Sequence, residues 1–142
     1  MEKVIMTFKI HVNRSDMSSV EGPFGGAYFV PFRADVKSDL FTGKTRPGAC
    51  DVQTENLGEV RHMCAKYLFE GTDQNGAPCK LFVENNGWMN PANKEDPFFQ
   101  AVPTFVTDSR VLGEYLCQNR FRSEVQSTGP ESLDIRIIDT RA

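Results

Sequence analysis

Two strand-like runs on either side of an Asn-Gly pair constrain the fold of this chain more than any other feature. Residues 63–70 and 79–88 are rich in aromatic and β-branched residues, and Asn75-Gly76 lies between them. An Asn-Gly pair between two such runs is typical of a β-hairpin turn. The sequence therefore predicts an antiparallel hairpin in the middle of the chain.

The register of this hairpin follows from its charges. A two-residue loop would mix charged and apolar side chains on both faces, whereas a three-residue loop ending at Gly76 places that glycine in the left-handed conformation at no steric cost. The longer loop also pairs Lys66 with Glu84 and Glu70 with Lys80, each pair contributing roughly 0.2–1 kcal/mol. The other face is then apolar and is predicted to be core: Met63, Ala65, Tyr67, Phe69, Cys79, Leu81 and Val83.

Leu68 and Phe82 lie together on the charged face of this hairpin and form a small apolar island. Single apolar side chains are common on protein surfaces, but apolar patches also mark subunit contacts. We expect either a tolerated surface patch or the contact of a homo-oligomer through this face.

Alternating apolar and polar residues predict further strands. The predicted strands are residues 3–12, 28–37, 49–53, 98–107, 121–126 and 133–138, with residues 40–41 continuing the second one beyond a bend. Pro31 cannot donate to a ladder, which predicts an edge position or a bulge. Residues 13–26 and 86–97 are predicted loops, and residues 109–117 are the one predicted helix, a short one.

This pattern predicts an all-β fold of about 8–10 antiparallel strands with one short helix. A sandwich or a closed barrel would accommodate the strands. We favour the barrel because several strands are long and the sequence provides little protection for exposed edges. The sequence shows no repeat and no linker, so residues 1–142 are predicted to form a single domain.

Composition and charge narrow the choice of partners and location. The chain has 142 residues, a formal net charge of −3 and no run of Lys or Arg, which argues against nucleic acid and anionic membranes as partners. It opens without an apolar signal segment and has no stretch of about 20 apolar residues. Its four cysteines lack a C-x-x-C spacing. We therefore expect a cytoplasmic protein with free thiols.

Several short motifs, taken in order, resemble a known family. They are Pro47-Gly-Ala-Cys-Asp51, Ala65-Lys-Tyr67, Asp73-Gln-Asn-Gly76, Val83-Glu-Asn-Asn-Gly87 and Pro103-Thr-Phe105, followed by Tyr115 and Asn119-Arg120. The sequence is similar to a family of uncharacterised bacterial and fungal proteins that fold as calycin-like antiparallel barrels, the architecture of lipocalins and streptavidin. This resemblance implies a calycin-like barrel from about Phe8 to Ile138, and it implies no specific reaction.

The sequence departs from the family pattern at three positions. Val52 replaces a Trp, Cys64 replaces an Asp, and Asn86 replaces an Arg. An activity that depended on those family residues would be lost or carried out differently here.

Metal, cofactor and nucleophile signatures are missing from the sequence. The two histidines, His11 and His62, are too few for the histidine-rich metal site of a cupin-type barrel. The glycines of residues 22–26 precede no helix that would hold a pyrophosphate, and no G-x-S-x-G elbow occurs. We therefore predict no metal and no cofactor.

A polar group is predicted to converge at one mouth of the barrel: Asp51, Tyr67, Asn85, Asn86 and Trp88. In this hypothesis Trp88 supplies stacking area, Tyr67 and Asn85 orient a ligand, and Asp51 acts as general base if the apolar interior raises its pKa. In the alternative, Asp51 caps the Pro-Gly turn and the asparagines satisfy backbone groups at a strand end.

Arg120 is a further candidate ligand-binding residue. It follows Asn119 near the end of the predicted helix. A structural salt bridge is the alternative role for its guanidinium group.

Three functions remain open from the sequence. The first is a barrel that binds a small hydrophobic molecule in its interior. The second is a cofactor-independent isomerase, lyase or cyclase that acts on a small carbonyl compound through an acid/base carboxylate. The third is an oligomeric scaffold whose interior is filled by its own side chains, and an interior cavity below about 300 Å³ would favour it.

Overall fold

The central hairpin adopts the predicted register. In the computed structural model, Lys66 lies opposite Glu84 and Glu70 opposite Lys80. Gly76 has a φ of +76°, in the left-handed region, and the Asp73 carboxylate accepts the backbone N–H groups of Asn75 and Ala77 at 2.9 and 3.1 Å. The predicted core face is confirmed: Ala65, Tyr67, Phe69, Cys79, Leu81 and Val83 are buried, with Met63 partly buried.

The structure describes residues 1–56, 60–89 and 99–142. In that part of the chain the strands are β1 (Lys3–Val12), β2 (Ser18–Gly22), β3 (Gly25–Lys37), β4 (Phe41–Thr45), β5 (Cys50–Asn56), β6 (Arg61–Asp73), β7 (Pro78–Met89), β8 (Phe99–Thr107), β9 (Phe121–Gly129) and β10 (Ser132–Asp139). The α-helix α1 (Arg110–Leu116) confirms the predicted short helix, with Ser109 as its N-cap.

These ten strands occupy eight positions around a closed antiparallel barrel, and each position is called a stave below. β1 and β2 follow one another along β3 and act as one stave, and β4 and β5 do the same between β3 and β6. Each remaining strand pairs with the next along the chain, and β10 returns to β1. The fold is therefore an up-and-down meander. Within the described residues, every strand is paired on both sides except β2, which pairs with β3 alone.

Two segments predicted as loops contain regular structure. Residues 13–26 hold a short 3₁₀ helix (Arg14–Asp16), β2 and the start of β3, because Gly22 and Gly25 pair across a tight turn. The predicted loop at residues 86–97 begins late, since β7 continues to Met89. Residues 90–97 of that prediction lie outside the described residues.

Pro31 was predicted to occupy an edge strand or a bulge, but it occupies neither. It lies inside β3, opposite Cys50 of β5. Its neighbour Phe32 donates its backbone N–H to Ala49 at 3.1 Å, so Pro31 faces the other side, where successive residues of an antiparallel strand alternate. On that side the partner stave is interrupted between Val12 and Ser18, and the missing N–H costs no ladder hydrogen bond.

One half of the barrel interior is filled by aromatic rings. Phe8 contacts both Tyr67 and Phe69, with ring centroids 5.9 and 4.9 Å apart, and Phe105 meets Phe121 edge-on at 5.7 Å. Leu112 and Leu116 of α1 are buried in the same cluster. This half is a packed core of side chains.

α1 lies at the hairpin-turn end of the barrel. The Ser109 hydroxyl donates to the Asp73 carboxylate at 2.7 Å and accepts the Leu112 N–H at 3.3 Å. One side chain thus caps the helix and ties it to the turn that follows β6. No helix in the described ranges is long and apolar enough to cross a membrane, and the four cysteines are free.

Candidate functional site

The other half of the barrel interior is hollow. It contains a pocket of about 360 Å³ at the end where β6 begins, away from α1. Three polar residues line it, Asp51, Gln53 and Asn85, together with Met63, Ala65, Gly87, Met89, Val125, Leu133 and Ile135. The volume exceeds the 300 Å³ below which a filled scaffold was expected and lies near the lower end of ligand pockets, about 300–1,000 Å³.

Asp51 is the one carboxylate in this pocket lining. It lies on β5 opposite Ala65, whose side chain points into the barrel. Its Oδ2 accepts the Gln53 amide at 2.8 Å, but its Oδ1 is buried and has no hydrogen-bond partner. Burial raises the pKa of Asp51, against the smaller lowering effects of Gln53 and His62.

Tyr67 lies one layer deeper than Ala65 on the inner face of β6. It is only 2 % exposed, and its hydroxyl likewise has no hydrogen-bond partner. Burial raises the pKa of Tyr67 above its ordinary value, and the negative charge of Asp51 raises it further. The ring packs edge-on against Phe32, with centroids 5.0 Å apart, which fixes the hydroxyl in place.

Asn85 is buried in the pocket wall, and its side-chain oxygen is hydrogen-bonded to a neighbour. Its Oδ1 accepts the Ser123 hydroxyl at 3.0 Å. This hydrogen bond joins β7 to β9, two staves apart, and leaves the amide NH₂ of Asn85 as a donor.

Gln53 connects the pocket to its rim. Its Oε1 accepts Arg61 Nη1 at 3.3 Å, while Arg61 Nε contacts Glu55 at 3.0 Å. The guanidinium also lies over the Tyr28 ring, 4.5 Å from the centroid. Gln53 and Leu133 belong in addition to the wall of a neighbouring cleft of about 290 Å³, so the pocket and the cleft adjoin.

Asn86 and Trp88 were predicted to join this group, but they lie outside it. Because β7 continues through them, their side chains alternate to the outer face. There Trp88 stacks on His62, with centroids 5.3 Å apart and an angle of 13°, and Asn86 Oδ1 lies 2.9 Å from His62 Nε2. Asn86 also donates to Glu84 at 2.9 Å.

Arg120 lies at the α1 end of the barrel, where it forms a salt bridge. It donates to both Asp139 oxygens, at 2.9 and 2.8 Å, and Asp139 is 1 % exposed. The Tyr115 hydroxyl also donates to Asp139. The hydrogen bonds from Arg120 hold the pKa of Asp139 far below its usual range, and burial with the bond to Asp139 raises the pKa of Tyr115 to about 12.

The structure places Asp51 and Asn85 in the pocket lining, with Tyr67 one layer beneath it, and places Asn86, Trp88 and Arg120 elsewhere. Sequence reasoning missed Gln53 and Ser123. Gln53 had a signal, because it follows Asp51 by two residues and shares its face of the strand. Within the described residues, no three His, Cys, Asp or Glu side chains form a metal-binding group.

Neither a protein-family model nor a curated protein matches the chain. Solved structures do. A protein of unknown function from Clostridium acetobutylicum has a TM-score of 0.75 at 21% identity, covering 98% of this chain and 95% of that one. A conserved protein of unknown function from Rhodopseudomonas palustris has a TM-score of 0.74 at 22% identity, covering 98% and 96%.

A β-barrel-like protein from Acinetobacter baumannii AYE is also similar, with a TM-score of 0.67 at 13% identity, covering 98% of this chain and 94% of that one. At such identities the likeness shows the fold alone. The chain thus shares its fold with a β-barrel-like protein and with two proteins of unknown function.

Proposed function

We propose that this protein binds a small, mainly apolar molecule inside its barrel. The observation that carries the proposal is the pocket of about 360 Å³ in the unfilled half of the interior. Its wall combines apolar side chains with a few polar groups, which is the usual composition of small-molecule sites. The calycin-like resemblance of the sequence supports the same function, since barrels of that architecture bind ligands in their interior.

The distribution of side chains supports a binding barrel over a filled scaffold. Phe8, Phe41 and Phe69 are fully buried and fill only the half next to α1. In the other half, small residues such as Ala65 and Gly87 face the pocket. A scaffold that needed only stability would gain from larger side chains there, because empty volume costs about 24 cal/mol per Å³.

A cofactor-independent isomerase, lyase or cyclase is the second candidate. Asp51 favours it, because burial raises the pKa of this carboxyl and its Oδ1 is unpartnered beside an apolar pocket. A carboxyl group in such a setting is suited to proton transfer. Retention of turnover by an Asp51→Asn variant would remove this candidate.

The binding proposal is tested with N-phenyl-1-naphthylamine, a neutral dye that fluoresces on entering apolar pockets. We expect saturable binding to the wild type and an affinity roughly tenfold weaker in Ala65→Leu, because the longer side chain occupies the pocket. Dye titration by fluorescence measures both.

Lys37→Leu is the control, because it also introduces a Leu on a strand, but Lys37 is exposed at the end of β3 and points away from the buried side of its neighbour Val36. This variant should bind the dye like the wild type. Equal weakening in both variants, or no saturable binding to the wild type, would contradict the proposal.

A further inference from the structure

We propose that the pocket recognises a hydroxyl group on its ligand, held between Asp51 and Tyr67. This inference rests on the proposed binding function and names the chemical class of the ligand, a small apolar alcohol or phenol. Its basis is the pair of buried polar atoms, Asp51 Oδ1 and the Tyr67 hydroxyl, that have no partner in the described residues.

Buried polar atoms are seldom left unpaired, because each costs about 1–3 kcal/mol of desolvation. Here the two residues are diagonal neighbours on the inner face of the barrel: Asp51 lies opposite Ala65, and Tyr67 follows Ala65 by two positions, one layer beneath the pocket. Such neighbours are about 7–8 Å apart, within reach of an aromatic side chain. Gln53 donates to the other Asp51 oxygen, and the free amide NH₂ of Asn85 makes no hydrogen bond to Asp51 Oδ1.

The two atoms have complementary roles. The Tyr67 hydroxyl can donate a hydrogen bond, and a carboxylate oxygen accepts one. A ligand hydroxyl accepts from the first and donates to the second, whereas an ether or a carbonyl oxygen can only accept. A hydroxyl is therefore the group that satisfies both protein atoms.

Three bicyclic probes that differ at one position test the inference: 2-naphthol, 2-methoxynaphthalene and naphthalene. Their affinities are measured by displacement of the dye. We expect 2-naphthol to bind roughly tenfold more tightly than the other two, an advantage of one hydrogen bond to a charged group. Asp51→Asn and Tyr67→Phe should each reduce that advantage and leave naphthalene binding within about twofold of the wild type.

The outcomes separate the two proposals. If no probe displaces the dye, or the dye itself does not bind, the binding function is wrong. If all three bind equally, or 2-methoxynaphthalene matches 2-naphthol, the pocket binds apolar molecules and the hydroxyl site is wrong. Circular dichroism checks that each variant is folded. Tyr67→Phe is expected to fold, because it removes an unpaired buried hydroxyl.

A different observation carries a second inference, on the outer face of the barrel. Leu68, Phe82 and Val106 lie side by side across β6, β7 and β8. We infer that this row is the contact between two copies of the chain. The charges that flank this row favour a second copy of the chain over another partner.

An opposite-charge pair flanks the row at each end. Lys66 lies 3.9 Å from Glu84 on one side, and Lys80 lies 3.9 Å from Glu70 on the other. Along β6 the order is therefore positive, apolar, negative, and across from it on β7 negative, apolar, positive. Suppose that two copies of this face meet about a two-fold axis that runs along or across the strands. Each of these positive charges then faces a negative charge of the other copy. The face is complementary to itself.

Charge reversal tests this contact. Lys66→Glu with Lys80→Glu makes the face negative, and Glu70→Lys with Glu84→Lys makes it positive. We expect wild type to dimerise, each double variant to be monomeric alone because like charges meet, and a one-to-one mixture of the two variants to dimerise. Sedimentation velocity measures all four samples.

Arg110→Glu with Glu114→Lys, an exchange in the exposed pair of α1, is the matched control and should dimerise like the wild type. A monomeric wild type at roughly 100 μM, well above the Kd of a specific micromolar dimer, would overturn the inference. Dimers of either double variant alone, or a mixture that stays monomeric, would do the same.

Discussion

At the scale of single residues, the buried Asp139 and the partly buried Asp51 have opposite electrostatic surroundings. Asp139 accepts hydrogen bonds from Arg120 and Tyr115 and from the backbone N–H of Arg141, and its pKa is lowered. Asp51 receives a single amide, and burial raises its pKa. The surroundings stabilise the charged form of Asp139 and destabilise the charged form of Asp51.

These shifts give opposite dependences of stability on pH. Because the folded-state pKa of Asp139 is depressed, its contribution is complete above the ordinary value of about 3.9 and is lost as pH falls through the folded pKa. Because that of Asp51 is raised, its contribution is present below about 3.9 and is lost as pH rises through the folded pKa.

We therefore expect Asp139→Asn to lower the free energy of unfolding at pH 7 by about 1.5–3 kcal/mol, since Arg120 loses its hydrogen bonds to a charged partner. This deficit should shrink below about pH 4. Asp51→Asn should be at least as stable as the wild type at pH 7. Urea unfolding at several pH values measures both.

Asp39→Asn is the control for these variants, because Asp39 is exposed and its substitution should change stability by no more than about 0.5 kcal/mol. Equal stability of Asp139→Asn and wild type at pH 7 would contradict the assigned role of the salt bridge.

At the scale of elements, two facing glycines set the spacing between β4 and β6. Gly43 and Gly71 are cross-strand partners. A Cβ on Gly71 would lie 1.9 Å from the Thr42 carbonyl oxygen and 2.6 Å from the Gly43 Cα. Since both neighbours are backbone atoms, only separation of the strands would relieve the clash.

Gly71→Ala should consequently destabilise the protein by about 1–3 kcal/mol or more, the usual cost of overpacking. Gly22→Ala is the matched control, because a Cβ there has no atom within 4 Å and the change should be nearly neutral. Thermal unfolding of the two variants compares them, and equal midpoints would show that β4 and β6 are not tightly apposed.

At the scale of the whole molecule, the barrel is solid at one end and hollow at the other. The solid end holds the aromatic cluster and α1, which are tied to the hairpin turn through Ser109 and Asp73. The hollow end holds Asp51 and Asn85. This division lets one half supply stability while the other keeps polar atoms unpaired.

The sequence by itself determined most of the strands, the hairpin register and the short helix, because alternation, turn residues and helix caps act over a few residues. It missed β2 and the last residues of β7. Continuing the alternation of β7 through Asn86 and Trp88 would also have placed both outside; their Asn-rich setting suggested a loop instead.

Only the tertiary structure decided which polar residues meet. Asn85 and Ser123 are 38 positions apart, and their contact exists because β9 comes to lie near β7. The same holds for the division of the interior: closing the ring gathers the aromatic rings of distant strands in one half and leaves the pocket in the other. Such contacts depend on how distant strands are placed around the barrel, which no local pattern specifies.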